Sequence, residues 1–263
     1  MNIVLFFEGT GQGVAGKFTN VTRLKEMCVE DEAQHLHLES GPGTHFGAYF
    51  FGKVCGADCR GILRSARRWF QQHYTTLPAP GSPASPSCSN SFSTSVFLFG
   101  FSRGALLARK FAEWLDKLGV EVAYLGVWDT VDSAMKVDIG EECPKCVGFA
   151  RHAVARDERR RYFGLVPLNF KAKQGEERVF PGVHSDVGGL YDDNHDMADA
   201  ALTWIGEEAV ARGLKLKDGC DFRRGLELMK LPVHDSFRLV SNLWGLLGEK
   251  RRRKLEVGIR NEE

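Results

Sequence analysis

Val96-Phe97-Leu98-Phe99-Gly100-Phe101-Ser102-Arg103-Gly104-Ala105-Leu106-Leu107 decides how the chain is read. An apolar run leads into Gly-Phe-Ser-Arg-Gly, of the form G-x-S-x-G. An amphipathic segment from Ala105 to Leu115 follows without a gap. Strand, tight glycine-flanked serine and helix in that order make a nucleophile elbow. The serine sits in a strained turn where bulky neighbours would collide with the strand and helix, and glycine removes the colliding Cβ. The hydroxyl then stands at the sheet edge, and the helix N-terminus faces any negative charge that develops there.

Working outward, Ile3-Val4-Leu5-Phe6-Phe7 reads as a first strand, and it ends in a glycine-rich loop, Glu8-Gly9-Thr10-Gly11. Residues 19–27 read as a helix capped by Thr19 or Asn20. His35 to Ser40 alternates polar and apolar residues, the pattern of a second strand. Helical spacing returns over 61–74. A Pro/Ser-rich stretch at about 78–95 is expected to be a mobile surface loop that interrupts the domain without splitting it. Beyond the elbow, Val120 to Trp128 reads as a strand ending at Asp129-Thr130. Residues 151–163 read as a helix, 178–183 as a short strand running into His184, and 198–213 as an amphipathic helix. This alternation predicts one α/β domain over 1–263, hydrolase-like, with a mostly parallel sheet covered by helices on both faces.

Composition narrows the function. Of 263 residues, 43% are hydrophobic and 26% charged, and the net charge is +1. No global field favours nucleic acid. No run approaches the roughly 20 apolar residues that span a bilayer, and the first strand lacks the flanks of a signal peptide. A soluble, cytoplasmic protein is expected. The 7 cysteines form no regular framework, which fits a reducing compartment. Cys143-Pro144-Lys145-Cys146 has the spacing of half a zinc site or of a redox pair, but a second half-site is missing, and neither metal nor organic cofactor is expected.

Serine needs a base and the base needs an orienting acid. In hydrolases of this class they follow in the order Ser, acid, His, at strand ends. Asp129 follows the strand Gly126-Val127-Trp128, and His184 follows Pro181-Gly182-Val183. His184 would take the proton of Ser102 and return it to the leaving group. Asp129 would hold the imidazole in the useful tautomer. Asp186 is a second acid close to His184, for which a local structural role is expected. His234 with Asp235 is a second base and acid in a late segment. The oxyanion would be met by the backbone N–H of Arg103 and by that of Gly9 or Thr10. Asp192-Asp193-Asn194-His195-Asp196 is read as a solvated loop rather than a cation site. The basic run Lys250 to Lys254 is read as a solvated helix face, with peripheral membrane contact through anionic headgroups as its alternative.

Several segments together resemble one family. Phe6 to Gly11, Thr19-Asn20-Val21, Gly100 to Gly104, Gly126 to Val131 and Pro181 to Gly189 recur in the same order in the uncharacterised α/β hydrolase domain family that includes the group-one type VI secretion phospholipase effectors. His152 to Glu158 and His234-Asp235-Ser236 also resemble its motifs. Glu8 stands where that family usually has aspartate. The resemblance implies a serine esterase or phospholipase with Ser102, Asp129 and His184 as its triad, acting on acyl esters of lipids or phospholipids. An acyltransferase or thioesterase using the same residues, or a binding module that keeps the fold, are the alternatives.

Overall fold

The computed structural model describes residues 1–11, 19–42, 54–74, 94–132, 140, 142–160, 163–191, 195–220 and 222. The Pro/Ser-rich stretch up to residue 93, residues 192–194 of the acidic cluster, His234, Asp235 and the basic run at 250–254 lie outside them.

The described strands are β1 (Asn2–Phe7), β2 (Gln34–Glu39), β3 (Ser95–Phe101), β4 (Tyr124–Trp128), β5 (Ala150–Ala155) and β6 (Gly175–Phe180). They form a 6-stranded sheet in the order β2-β1-β3-β4-β5-β6. Every neighbouring pair is parallel. Parallel strands need both faces covered, and the sequences supply this. Every residue of β1 and of β4 is buried.

Alternate side chains of these strands feed two cores. Ile3, Leu5, Phe7, Val96 and Leu98 pack with α2 (Val54–His73) and α3 (Arg103–Lys117), through Leu63, Phe70, Leu107 and Phe111. Val4, Phe6, Phe97 and Phe99 pack on the opposite face with α1 (Asn20–Met27) and α5 (Asp196–Ala211), through Val21, Leu24, Ala201 and Ile205. The short helix α4 (His184–Gly188) follows β6 and contributes Val187 to this second core.

One expected element is different. Where a helix is expected to begin at 151, Ala150–Ala155 is instead strand β5, which pairs with β4 on one side and β6 on the other. Its alanines carry helix propensity, but a six-residue buried slot between two strands overrides a weak local preference. The strand expected at 178–183 lies earlier, at Gly175–Phe180, and Pro181-Gly182 turns the chain into α4.

The topology places the site. From β1 the chain passes to β2 on one side, and then to β3 on the other. The strand order therefore reverses between β1 and β3. In open α/β sheets the crevice at the carboxyl ends of such a pair receives ligands. Here those ends carry Glu8-Gly9-Thr10 and Ser102.

Candidate active site

Ser102 has φ 60 and ψ −122. Only a strained turn holds a non-glycine residue there. Two constraints fix it. Its N–H donates to the carbonyl of Trp128 at 3.0 Å, and α3 begins at the next residue. The flanking glycines are required by space. A Cβ on Gly100 would lie 2.5 Å from the Gly104 carbonyl oxygen, and one on Gly104 would lie 2.0 Å from that of Phe7. The elbow thus leans directly on the end of β1.

Asp129 ends β4 at φ 37 and is fully buried. Its Oδ1 accepts the N–H of Ala155 at 2.9 Å. Its Oδ2 lies 2.6 Å from Nδ1 of His184. With one oxygen tied to β5, the other faces the imidazole. His184 is 3% exposed. Its ring stacks on Phe101, with centroids 4.6 Å apart, and meets Phe163 at 4.9 Å with a 68° interplanar angle. Ser102, Arg103, Thr10, Phe101, Phe163 and His184 all line one cleft of about 240 Å³.

The other expected site residues divide. Asp186 bonds locally: its Oδ2 accepts the Val183 N–H at 2.8 Å across the first turn of α4. Gly9 packs beside the elbow, where a Cβ would stand 3.4 Å from that of Ser102. Its N–H, however, donates to Oε2 of Glu8 at 3.2 Å. Thr10 reaches the cleft. Of the two residues expected from the first loop, Thr10 is the one that lines the cleft. His234 and Asp235 lie outside the described residues.

Two buried carboxylates flank this arrangement, and their electrostatics differ. Glu8 accepts hydrogen bonds from the hydroxyls of Thr19, at 2.7 Å, and Thr22. Burial nevertheless raises its pKa above the ordinary carboxylate range, because those hydroxyl and backbone bonds do not make up the lost hydration. Glu158 is also desolvated, which acts upward, but hydrogen bonds and charge from Arg160 outweigh this and hold it below the usual range. Sequence reading placed Glu158 within the expected helix at 151–163 and gave no role to Arg160, Phe163 or Phe101 around the imidazole. The glycine turn at 181–182, which brings the 157–160 loop back toward α4, was the available signal. The Gly182 N–H donates to Asp157 at 2.8 Å.

Cys143 and Cys146 are free thiols, both pushed up to about 12 mainly by burial. Among the described residues no group of three His, Cys, Asp or Glu side chains is arranged to hold a metal ion. No helix among them is long and apolar enough to cross a membrane.

A strained serine at the topological switch point of a parallel sheet, with an Asp–His pair on the neighbouring strand ends, defines the class of α/β hydrolases. The chain belongs to the family described as T6SS, Phospholipase effector Tle1-like, catalytic domain, whose model matches residues 1–121 and 120–208. No curated protein matches it significantly in sequence. Among solved structures it is similar to an uncharacterized protein from Pseudomonas aeruginosa, with a TM-score of 0.51 and 19% identity over 82% of this chain and 47% of that one. It is likewise similar to the Tle1 effector, in a structure of that effector bound to the VgrG spike from the type 6 secretion system. That match has a TM-score of 0.51 and 21% identity over 73% of this chain and 51% of the effector. The chain thus spans about half the length of these solved relatives.

Proposed function

We propose that the protein is a serine hydrolase that cleaves carboxylic esters of acyl lipids, phospholipids foremost, through an acyl-enzyme intermediate. The observation that carries this reading is the 2.6 Å contact between Asp129 and His184, whose ring shares a cleft with Ser102.

The chemistry follows from the groups present. Asp129 accepts the hydrogen bond that the Nδ1–H of His184 donates and so leaves the Nε2 lone pair available as a base. Nε2 takes the Ser102 proton as Oγ attacks the ester carbonyl. The carbonyl π electrons move to oxygen, and the tetrahedral oxyanion is met by the N–H groups of Arg103 and Thr10. Collapse re-forms the carbonyl and breaks the bond to the alkoxy group, which receives the proton from the imidazolium. Water then repeats the sequence on the acyl-serine, returning Ser102 and releasing the fatty acid. Phe101, Phe163 and Leu190 give the cleft an apolar wall suited to an acyl chain.

The test is labelling with a fluorophosphonate probe together with a lipid hydrolysis panel read by mass spectrometry. The proposal expects covalent labelling that disappears in Ser102→Ala, and fatty acid release from phospholipid. Labelling that persists in Ser102→Ala would exclude the assigned nucleophile. Labelling without release of free fatty acid, but with acyl transfer to an added alcohol or thiol, would make the protein an acyltransferase.

A further inference from the structure

The Glu158 side chain is fully buried in the loop that leaves β5, and its hydrogen bonds converge on the His184 region. Oε1 accepts from the N–H groups of Arg159 at 3.0 Å and Arg160 at 2.8 Å, and from Arg160 Nε at 3.0 Å. Oε2 accepts from Arg160 Nη2 at 2.9 Å and from the backbone N–H of His184 at 3.2 Å. The guanidinium held by this fork lies 3.5 Å from the centroid of the Phe163 ring. Phe163 in turn meets the imidazole of His184 at 4.9 Å. Arg160 and Phe163 both line the Ser102 cleft.

We infer that Glu158 is a positioning residue for His184, gripping its backbone directly and fixing one wall of its imidazole through Arg160 and Phe163. The inference rests on the serine hydrolase reading for its catalytic consequence. Its physical basis is separate. Burying a carboxylate is costly unless its lone pairs are used, and two of the partners that use them here, the His184 N–H and the Arg160 side chain, lead to the His184 ring. The bidentate guanidinium fork has a fixed plane, so the Phe163 face resting on it is fixed too. A base must hold its lone pair toward the serine hydroxyl, and a displacement of about 1 Å costs roughly 100-fold in rate.

Three proteins test this: wild type, Glu158→Gln and Arg160→Lys. Glu158→Gln keeps the side-chain size but removes the charge and one acceptor. Arg160→Lys keeps a cation but loses the fork and the planar stack. In hydrolysis of p-nitrophenyl butyrate, kcat is expected to fall about 10- to 100-fold in Glu158→Gln and about 10-fold in Arg160→Lys, with KM within about twofold of wild type. The proton NMR resonance of the His184 Nδ1–H, assigned by its loss in His184→Gln, is expected to shift or broaden in both variants. Circular dichroism reports folding, and if Glu158→Gln does not fold, Arg160→Lys carries the test. Folded variants with an unchanged imidazole resonance would overturn the inference, whatever their stability. So would a rise in KM at unchanged kcat, which would make Arg160 a substrate contact. Ser102→Ala separates the two readings. If it still labels with fluorophosphonate, the nucleophile is wrong, while the imidazole resonance still decides whether Glu158 positions the ring.

Discussion

Asp129 and His184 are 55 residues apart in sequence, yet their carboxylate Oδ2 and ring Nδ1 lie 2.6 Å apart at the carboxyl edge of the sheet. The pairing bridges the ends of β4 and β6 across the intervening β5. Asp129 leaves β4 with its N–H donating to Ala153 at 2.7 Å, and its Oδ1 accepts from Ala155. Strand β5 therefore holds both the backbone and one oxygen of the acid. His184 follows β6, on the far side of β5.

Asp129→Asn tests the orienting role. The amide keeps the size and can keep the Ala155 hydrogen bond, but it presents a donor to Nδ1 and so favours the tautomer with its proton on Nε2. Loss of kcat by about 10⁴-fold is expected for p-nitrophenyl esters, with little change in thermal unfolding. His184→Ala is expected to lose as much activity, and His234→Ala much less. Esterase assays on the three purified variants check this order, and a larger loss in His234→Ala than in His184→Ala would reassign the base.

The elbow separates stability from activity. Ser102 is held at φ 60, a conformation that L side chains rarely adopt. Ser102→Gly is therefore expected to abolish esterase activity while stabilising the fold by about 1 kcal/mol, because relief of strain exceeds the extra chain entropy of glycine. Gly104→Ala goes the other way. Its methyl would stand 2.0 Å from the Phe7 carbonyl oxygen, forcing β1 and α3 apart at a cost of about 3 kcal/mol. Urea unfolding of both variants measures the two signs.

Much of this framework was legible in the chain. Strands β1, β3 and β4 are apolar runs with abrupt polar ends, and those ends are where a parallel sheet presents its chemistry. Ser102 and Asp129 could be found because each is the first residue after such a run. Strand β5 could not. Ala150 to Ala155 has the composition of a helix, and only its neighbours β4 and β6 make it a strand. Glu158, Arg160 and Phe163 carry no signal of their own for a related reason. Their roles depend on a loop folding back toward α4, and no periodicity within 156–163 encodes that approach. The first loop shows a finer limit. Sequence offers Gly9 and Thr10 equally, while the side chain of Glu8 occupies the Gly9 N–H.

The two buried carboxylates predict opposite pH responses. Glu8 is raised on folding, so the stability it contributes is fully present below its unfolded pKa of about 4.5 and is lost as pH rises through its higher folded value. Glu8→Gln should therefore compare best with wild type at neutral pH and lose that advantage as pH falls toward 4.5. Glu158 is lowered on folding, so its contribution is present above about 4.5 and disappears as pH falls through its lower folded value. Glu158→Gln should be less stable than wild type at neutral pH, and the gap should close only below 4.5. Chemical denaturation from pH 3 to pH 8 gives both differences. Parallel curves for the two variants would contradict the assignment.

Asn20 links the helix that carries His184 to the rest of the second core. Its side-chain Nδ2 donates to the carbonyls of Val187 at 3.0 Å and Ala198 at 2.9 Å, joining α1 to α4 and α5. Its Oδ1 accepts from Arg23 at 3.1 Å. The fit is close, since a Cβ on Gly189 would meet that Oδ1 at 2.9 Å. Asn20→Ala removes the side-chain donor shared by two buried carbonyls and is expected to cost about 1–3 kcal/mol. Asn20→Asp should be worse although it is nearly isosteric, because a carboxylate oxygen would face both carbonyl oxygens and repel them. The order Asn, Ala, Asp in melting temperature distinguishes a donor requirement from simple packing, which would rank the isosteric aspartate above alanine. At a temperature where Asn20→Ala remains folded, its kcat should stay within about threefold of wild type, since the Asp129–His184 contact does not pass through Asn20.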